Sequence, residues 1–149
     1  MKRNGFTLIE LIIVVAIIGI ISAIAIPSFR SMYLRNALGR GKAMVQSTIL
    51  RTKSHIATGT DDWQIIFDGT AATHTISLGP IGSAIEEVDT LPRGITFSPA
   101  ALITFEFYRG GTANSNPPGN LSFSIMDKKN AGFLFTLIPQ IGEVKIDVR

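Results

Sequence analysis

From Leu11 to Phe29 this chain carries no charged side chain, and its apolar character begins earlier, at Phe6. A helix that crosses a bilayer needs about 20 mostly apolar residues. The run has that length and that character. One carboxylate, Glu10, stands at its head. A charge at the centre of a spanning helix costs about 2.5–3.5 kcal/mol on insertion scales, and less near the interface. Glu10 therefore needs a reason, and the reading of the chain turns on it.

The 149 residues leave room for one modest domain beyond this segment. The mean hydropathy, +0.32, owes much to the N-terminus. Cysteine is absent, which excludes disulfides, a thiol nucleophile and Cys-based metal sites. The net charge of +3 is a weak argument for an acidic partner, because Lys2 and Arg3 precede the apolar run. The distribution says more. Arg30, Arg35, Arg40, Lys42, Arg51 and Lys53 follow the run with no acid until Asp61.

Three readings fit the N-terminus. A secretory signal would use Lys2 and Arg3 as its basic head and Ala23-Ile24-Ala25 as its cleavage site, but the apolar region exceeds the usual 7–15 residues and contains Glu10. A plain anchor, with Lys2 and Arg3 held inside, sends the rest of the chain outward but leaves Glu10 unexplained. The third reading starts from the order of residues: a short basic leader, then Gly5-Phe6-Thr7-Leu8-Ile9-Glu10, then the unbroken apolar run.

That order resembles the class III signal of type IV pilins and type II secretion pseudopilins. The resemblance implies that prepilin peptidase cuts between Gly5 and Phe6 and methylates Phe6. Glu10 is fifth counted from Phe6, the position of the family's glutamate. The family places this acid against the N-terminal amine of a neighbouring subunit, here that of Phe6, which supplies the pairing a carboxylate in an apolar filament core requires. Gly19 and Pro27 match the glycine and proline that soften the family's helix. The match is confined to about the first 30 residues.

Proline removes one backbone bond and crowds the preceding turn, so a kink or break is expected at Pro27. The helix is expected to resume and end near His55–Ala57, giving about 52 residues and roughly 78 Å. Leu34, Leu38, Val45, Ile49 and Ile56 form its docking stripe, with bases flanking both sides and facing outward. Gly39 and Gly41 mark either a bend or close packing. Gly59 supplies a stop. The period then changes to two. Trp63/Ile65/Phe67, His74/Ile76/Leu78, Ile103/Phe105/Phe107, Leu121/Phe123/Ile125 and Val144/Ile146/Val148 read as strands, and Phe133–Ile138 as a central strand covered on both faces. A meandering antiparallel sheet or two small sheets fits these spacings, with residues 110–120 as a long polar loop and Pro139–Gly142 as a turn.

No catalytic pattern emerges, and no cofactor or metal is expected. His55 and His74 read as surface or capping residues. Gly39-Arg40-Gly41-Lys42-Ala43 lacks both the first glycine and the Ser/Thr of a phosphate loop. Asp61-Asp62 and Glu86-Glu87-Asp89 lack calcium-loop spacing and read as solvated turn charges. Lys128, Lys129, Lys145 and Arg149 are candidates for DNA contact, diluted by Glu143 and Asp147.

The fold class expected is α+β: a long, pilin-like N-terminal helix packed on a C-terminal antiparallel β domain. Its parts are a leader (1–5), a membrane or filament-core half-helix (6–29), an amphipathic half-helix (30–57) and a β domain (58–149). The resemblance implies a non-enzymatic structural subunit, minor in type, of a type II secretion pseudopilus or type IV pilus. Its partners would be other pilin or pseudopilin subunits, prepilin peptidase, the inner-membrane assembly machinery and lipid. It would span the inner membrane once, with its C-terminal domain in the periplasm, before entering a filament. The sheet-rich C-terminal part is similar to the minor pseudopilin H and FimT-like group. A DNA-binding minor pilin is the alternative.

Overall fold

The computed structural model describes residues 7–110, 113–138 and 143–149. One helix, α1 (Leu8–Thr58), precedes nine strands among these residues. The strands are β1 (Trp63–Asp68), β2 (Thr75–Pro80), β3 (Glu87–Thr90), β4 (Ile95–Ser98), β5 (Leu102–Phe107), β6 (Ala113–Asn116), β7 (Leu121–Asp127), β8 (Gly132–Ile138) and β9 (Glu143–Val148). The chain divides into two compact units after Arg35. The α+β class expected from the sequence is the one observed.

In the first unit α1 runs unbroken through Pro27, so the expected break is absent. A proline costs the helix one N–H, and the backbone geometry before and after it stays helical. Neighbouring serines bond locally: Ser28 Oγ donates to the Ile24 carbonyl at 3.4 Å and Ser31 Oγ to the Ser28 carbonyl at 2.9 Å.

The second unit, Asn36–Arg149, holds the core. Helix residues 36–58 bury Ala37, Gly41, Val45, Thr48, Ile49 and Thr52. Their spacing follows the helical repeat. Of the expected stripe, Val45 and Ile49 are buried and Leu38 and Ile56 pack half-buried against the core, and the face extends beyond it to the small residues Ala37, Gly41, Thr48 and Thr52. Small side chains bring the helix close to the sheets. A Cβ on Gly41 would meet Ile125 at 3.5 Å and Ile95 at 3.6 Å, so Gly41 marks close packing; Gly39 faces open space. The buried hydroxyls are satisfied within the helix, Thr48 Oγ1 by the Met44 carbonyl (3.0 Å) and Thr52 Oγ1 by that of Thr48 (2.8 Å). The helix ends at Thr58, within a residue or two of expectation.

The strands form two antiparallel sheets, ordered β3-β2-β1-β5-β6 and β4-β7-β8-β9. Alternation sets their inner faces, as β1 shows by burying Trp63, Ile65 and Phe67. The sheets meet through aromatic rings: Phe67 of β1 lies 4.5 Å from Phe123 of β7 and 5.8 Å from Phe97 of β4. Phe67, Phe105, Phe123 and Phe135 are fully buried. Each contributes about 1.5–3 kcal/mol by leaving water.

Three strands depart from the sequence reading. β3 occupies the acidic stretch read as a turn, β4 was not foreseen, and β6 lies inside the polar segment read as a loop. β6 is polar because it is an edge strand. Its Ser115 is buried through a hydroxyl bond to the Gly119 carbonyl (2.8 Å). β8 is central in its sheet, as expected, but only Phe135 and Leu137 are fully covered, while Leu134, Thr136 and Ile138 face outward half-exposed. Residues 111–112 and the turn expected at Pro139–Gly142 lie outside the described residues.

Candidate functional site

The candidate site begins where α1 begins. Thr7 precedes the first helical turn, and Glu10 stands three residues on. Glu10 Oε2 accepts the Thr7 backbone N–H and the Thr7 hydroxyl, both at 2.8 Å, while the Glu10 N–H donates to Thr7 Oγ1 at 3.3 Å. This reciprocal pattern is a capping box, which satisfies backbone donors that the first turn of a helix leaves unpaired. Thr7-x-x-Glu10 is its sequence signature, a signal that the sequence reading passed over. One oxygen of the carboxylate is thus engaged by its own chain.

Beyond the cap the helix offers apolar surface on every side. Leu8, Ile9, Leu11, Val15, Ile20, Ile24 and Ile26 are all more than half exposed. Such a surface is far larger than a soluble monomer normally exposes. The helix is long and apolar enough to cross a membrane. Gly19 meets no atom within 4 Å and lies in regular helix. Gly5 and Phe6 lie outside the described residues.

Comparison with known proteins bears on this segment first. The prokaryotic N-terminal methylation motif matches residues 1–26. The type IV major alpha-pilin of Moraxella bovis is 28% identical over 145 residues, covering 93% of this chain and 78% of that protein. The chain thus carries the N-terminal methylation motif and is similar over most of its length to a type IV pilin. The type IV major fimbrial protein FimA of Dichelobacter nodosus is 32% identical over 83 residues, 56% of this chain and 52% of FimA. The type IV major pilin protein PilA of Myxococcus xanthus is 47% identical over 53 residues, 36% of this chain and 24% of PilA. These two matches thus span about half and a quarter of the relatives' own length. No solved structure matches.

The bases considered for DNA contact are not equivalent in this chain. Lys128 and Lys129 are exposed in the β7–β8 turn, as expected. Lys145 lies 3.6 Å from Asp147. Arg149 turns its guanidinium onto the sheet, donating from Nη1 to the buried Ser124 Oγ at 3.0 Å. Two of the four are thus already engaged.

Two other charge expectations change. Arg51 does not face outward. It bonds Glu87 through Nη1 and Asp89 through Nη2 (2.8 Å), tying α1 to β3. Glu87 and Asp89 are accordingly not free turn charges. The histidines are internal braces. His55 stacks on Trp63 with 4.0 Å between ring centroids. His74 Nδ1 accepts the Phe97 N–H at 3.3 Å and links the two sheets. Among the described residues, no group of three or more His, Cys, Asp or Glu is arranged to hold a metal ion.

Proposed function

We propose that this chain is a pilin, a structural subunit of a type IV pilus, stored in the inner membrane with its β unit in the periplasm and then drawn into a filament. The observation that carries the reading is an apolar helix, exposed on all sides, headed by a single acid and bearing the N-terminal methylation motif. In lipid that surface is solvated by acyl chains. In a filament it packs against its own kind, where close contact replaces lipid contact. Prepilin peptidase would cut between Gly5 and Phe6, and Glu10 would accept the new Phe6 amine of a neighbour. The capping box supports this assignment: Oε2 serves Thr7 and leaves Oε1 for the second chain.

Similarity to pilins and fimbrial proteins favours a pilus over a secretion pseudopilus and does not favour a minor subunit over a major one. DNA uptake is the less supported reading, because Lys145 and Arg149 have partners within the chain.

Intact mass and N-terminal sequencing test the reading. The expected mature chain starts at Phe6 and carries one methyl group. A start at Ile26 would mark a cleaved secretory signal and end the pilin-subunit reading. Glu10→Ala should abolish assembly while cleavage continues; normal filament incorporation of this variant would remove the pairing role.

A further inference from the structure

Residues 36–149 contain ten bases and ten acids, so the second unit is neutral as a whole. The fold nevertheless sorts the charges. Segments far apart in sequence meet at one end of the four-stranded sheet. The Pro92–Ile95 turn exposes Arg93 immediately before β4, and Ile95 lies opposite Asp127 at the end of β7. The turn that follows holds Lys128 and Lys129. Arg149 joins them by exchanging backbone bonds with Gly132 (3.0 and 3.4 Å). The helix reaches the same end: Gly41 approaches Ile95 and Ile125, and Lys42 Nζ lies 4.6 Å from the centroid of the Phe133 ring. These five cations share that end with two carboxylates: Asp127, whose Oδ1 accepts the N–H groups of Lys129 and Ala131, and Asp147, which lies opposite Leu134 and contacts Lys145 at 3.6 Å.

The other end of the unit is acidic. Fourteen residues further along α1 from Gly41, about 21 Å in a helix, His55 stacks on Trp63. Around Trp63 stand Asp61, Asp62, Glu86 and Glu106. Asp62 takes the Ile81 N–H on its carbonyl (2.8 Å) and the Arg109 N–H on Oδ1 (2.9 Å). Glu86 donates its N–H to Leu78 (2.9 Å), and Glu106 pairs with Gln64, the residue after Trp63. The cations of that neighbourhood are Arg109, Lys53 and Arg51, the last already held by Glu87 and Asp89. The separation exceeds the screening length of about 8 Å at physiological salt. The two ends therefore do not neutralise one another within one molecule.

We propose that the basic end of this unit docks on the acidic end of the same unit in a second copy of this chain. The chain itself supplies the complement, and complementary fields set orientation and suppress wrong registers. Val148, 84% exposed beside Arg149, gives the basic end an apolar contact point that a protein partner would use and a phosphate backbone would not. The two patches differ, so the contact is heterologous. Repeating it extends an open row instead of closing a dimer. The inference rests on the filament reading above and names the charged groups that would hold successive β units in register.

Carbodiimide treatment of filaments made from a mixture of isotopically light and heavy full-length chains tests it, because that reagent joins only amines and carboxylates already in contact. Light–heavy links from Lys128 or Lys129 to Asp61, Asp62 or Glu86 are expected. Lys128→Glu with Lys129→Glu, and separately Asp61→Lys with Asp62→Lys, should each lower filament yield about tenfold, the size of a loss of one or two good charge pairs. The four changes together should restore it. Lys128, Lys129 and Asp61 are exposed, Asp62 is half-buried with Oδ1 on the Arg109 N–H, and circular dichroism checks that each variant is folded. Wild-type filaments without such links, reversals without effect, or a quadruple variant that stays defective overturn the proposal. So does a basic-end reversal that abolishes DNA retention while filament yield is unchanged, which would give that end to a polyanion. Absence of wild-type filaments overturns the filament reading and this contact together; normal filaments with inert reversals overturn the contact alone.

Discussion

Arg51 of α1 donates Nη2–H to Asp89 of β3 at 2.8 Å, across 38 residues of chain, while its Nη1 holds Glu87. The three side chains are each about 40% exposed, so water screens the ion pairs. Exposed pairs contribute about 0–1 kcal/mol, with networks at the upper end. Arg51→Ala is expected to lower stability by about 1 kcal/mol, read as a shift in the urea midpoint of the full-length protein in detergent. Arg51→Lys should recover only part of it, because an ammonium cannot serve two carboxylates as a planar fork does. An unchanged midpoint in Arg51→Ala would show that β3 is held by its ladder with β2 alone.

The glycines divide by what surrounds them. Gly39 faces open space in regular helix, so Gly39→Ala should stabilise by about 1 kcal/mol through helix propensity. Gly132 is different: a Cβ there would overlap the Ile125 carbonyl oxygen. Gly132→Ala should destabilise by about 1–3 kcal/mol, the cost of overpacking. Thermal melts of the two variants should move in opposite directions. Movement in the same direction would contradict the packing at one of them.

Two groups make folding depend on pH. The Thr70 hydroxyl, followed by the Thr70 N–H, holds the Asp68 carboxyl below its usual range. That contribution is present above the ordinary carboxylate value and is lost as pH falls through the lowered one. Tyr108 donates to Glu106 Oε2 at 2.6 Å, and this bond, with minor help from burial, raises the phenol above its ordinary value. Its contribution is complete below pH 10 and is lost as pH rises through the raised value. Tyr108→Phe should flatten only the alkaline limb of a plot of melting temperature against pH, and Thr70→Ala only the acid limb.

The capping box separates the two duties of Glu10. Glu10→Gln keeps an acceptor for Thr7 and removes the charge. Thr7→Ala keeps the charge and removes the cap, at a cost of about 0.5–2 kcal/mol of helix stability. Glu10→Gln is expected to block filament assembly with the first helical turn intact by hydrogen exchange. Thr7→Ala should fray that turn and still assemble. A Glu10→Gln variant that assembles normally would show that the cap is the residue's whole role.

The parts of this fold that were legible in the sequence rest on strong, local patterns. The apolar run named its helix, and period-two alternation placed Trp63, Ile65, Phe67 and their counterparts on β5 and β7. What escaped was decided elsewhere in space. Glu87–Thr90 looked like turn charges because the ladder with β2 that makes them a strand, and the Arg51 of α1 that pairs their acids, leave no local sequence cue. The stretch around Ser115 looked like loop because an edge strand needs no apolar alternation. On the docking face the large apolar residues were legible, Val45 and Ile49 being buried and Leu38 and Ile56 packed on the core, while the small residues beside them, Ala37, Gly41, Thr48 and Thr52, were missed because close approach selects them. At the head of the helix the acid was legible and its cap was too, but Glu10 was weighed for its charge and not for its distance from Thr7.

The small residues on that docking face have one more consequence. Each helical residue turns by about 100°, and the buried positions 37, 41, 45, 48, 49 and 52 all fall within about 120° of the helix, little more than a single residue's turn. The helix therefore works as a key cut to this particular lock. Adding or deleting one residue between Val45 and Thr48 would carry Thr48 and Thr52 out of the interior and turn longer side chains toward the sheets. Drift in length is closed to this stretch of chain, whatever freedom the loops of the β unit retain.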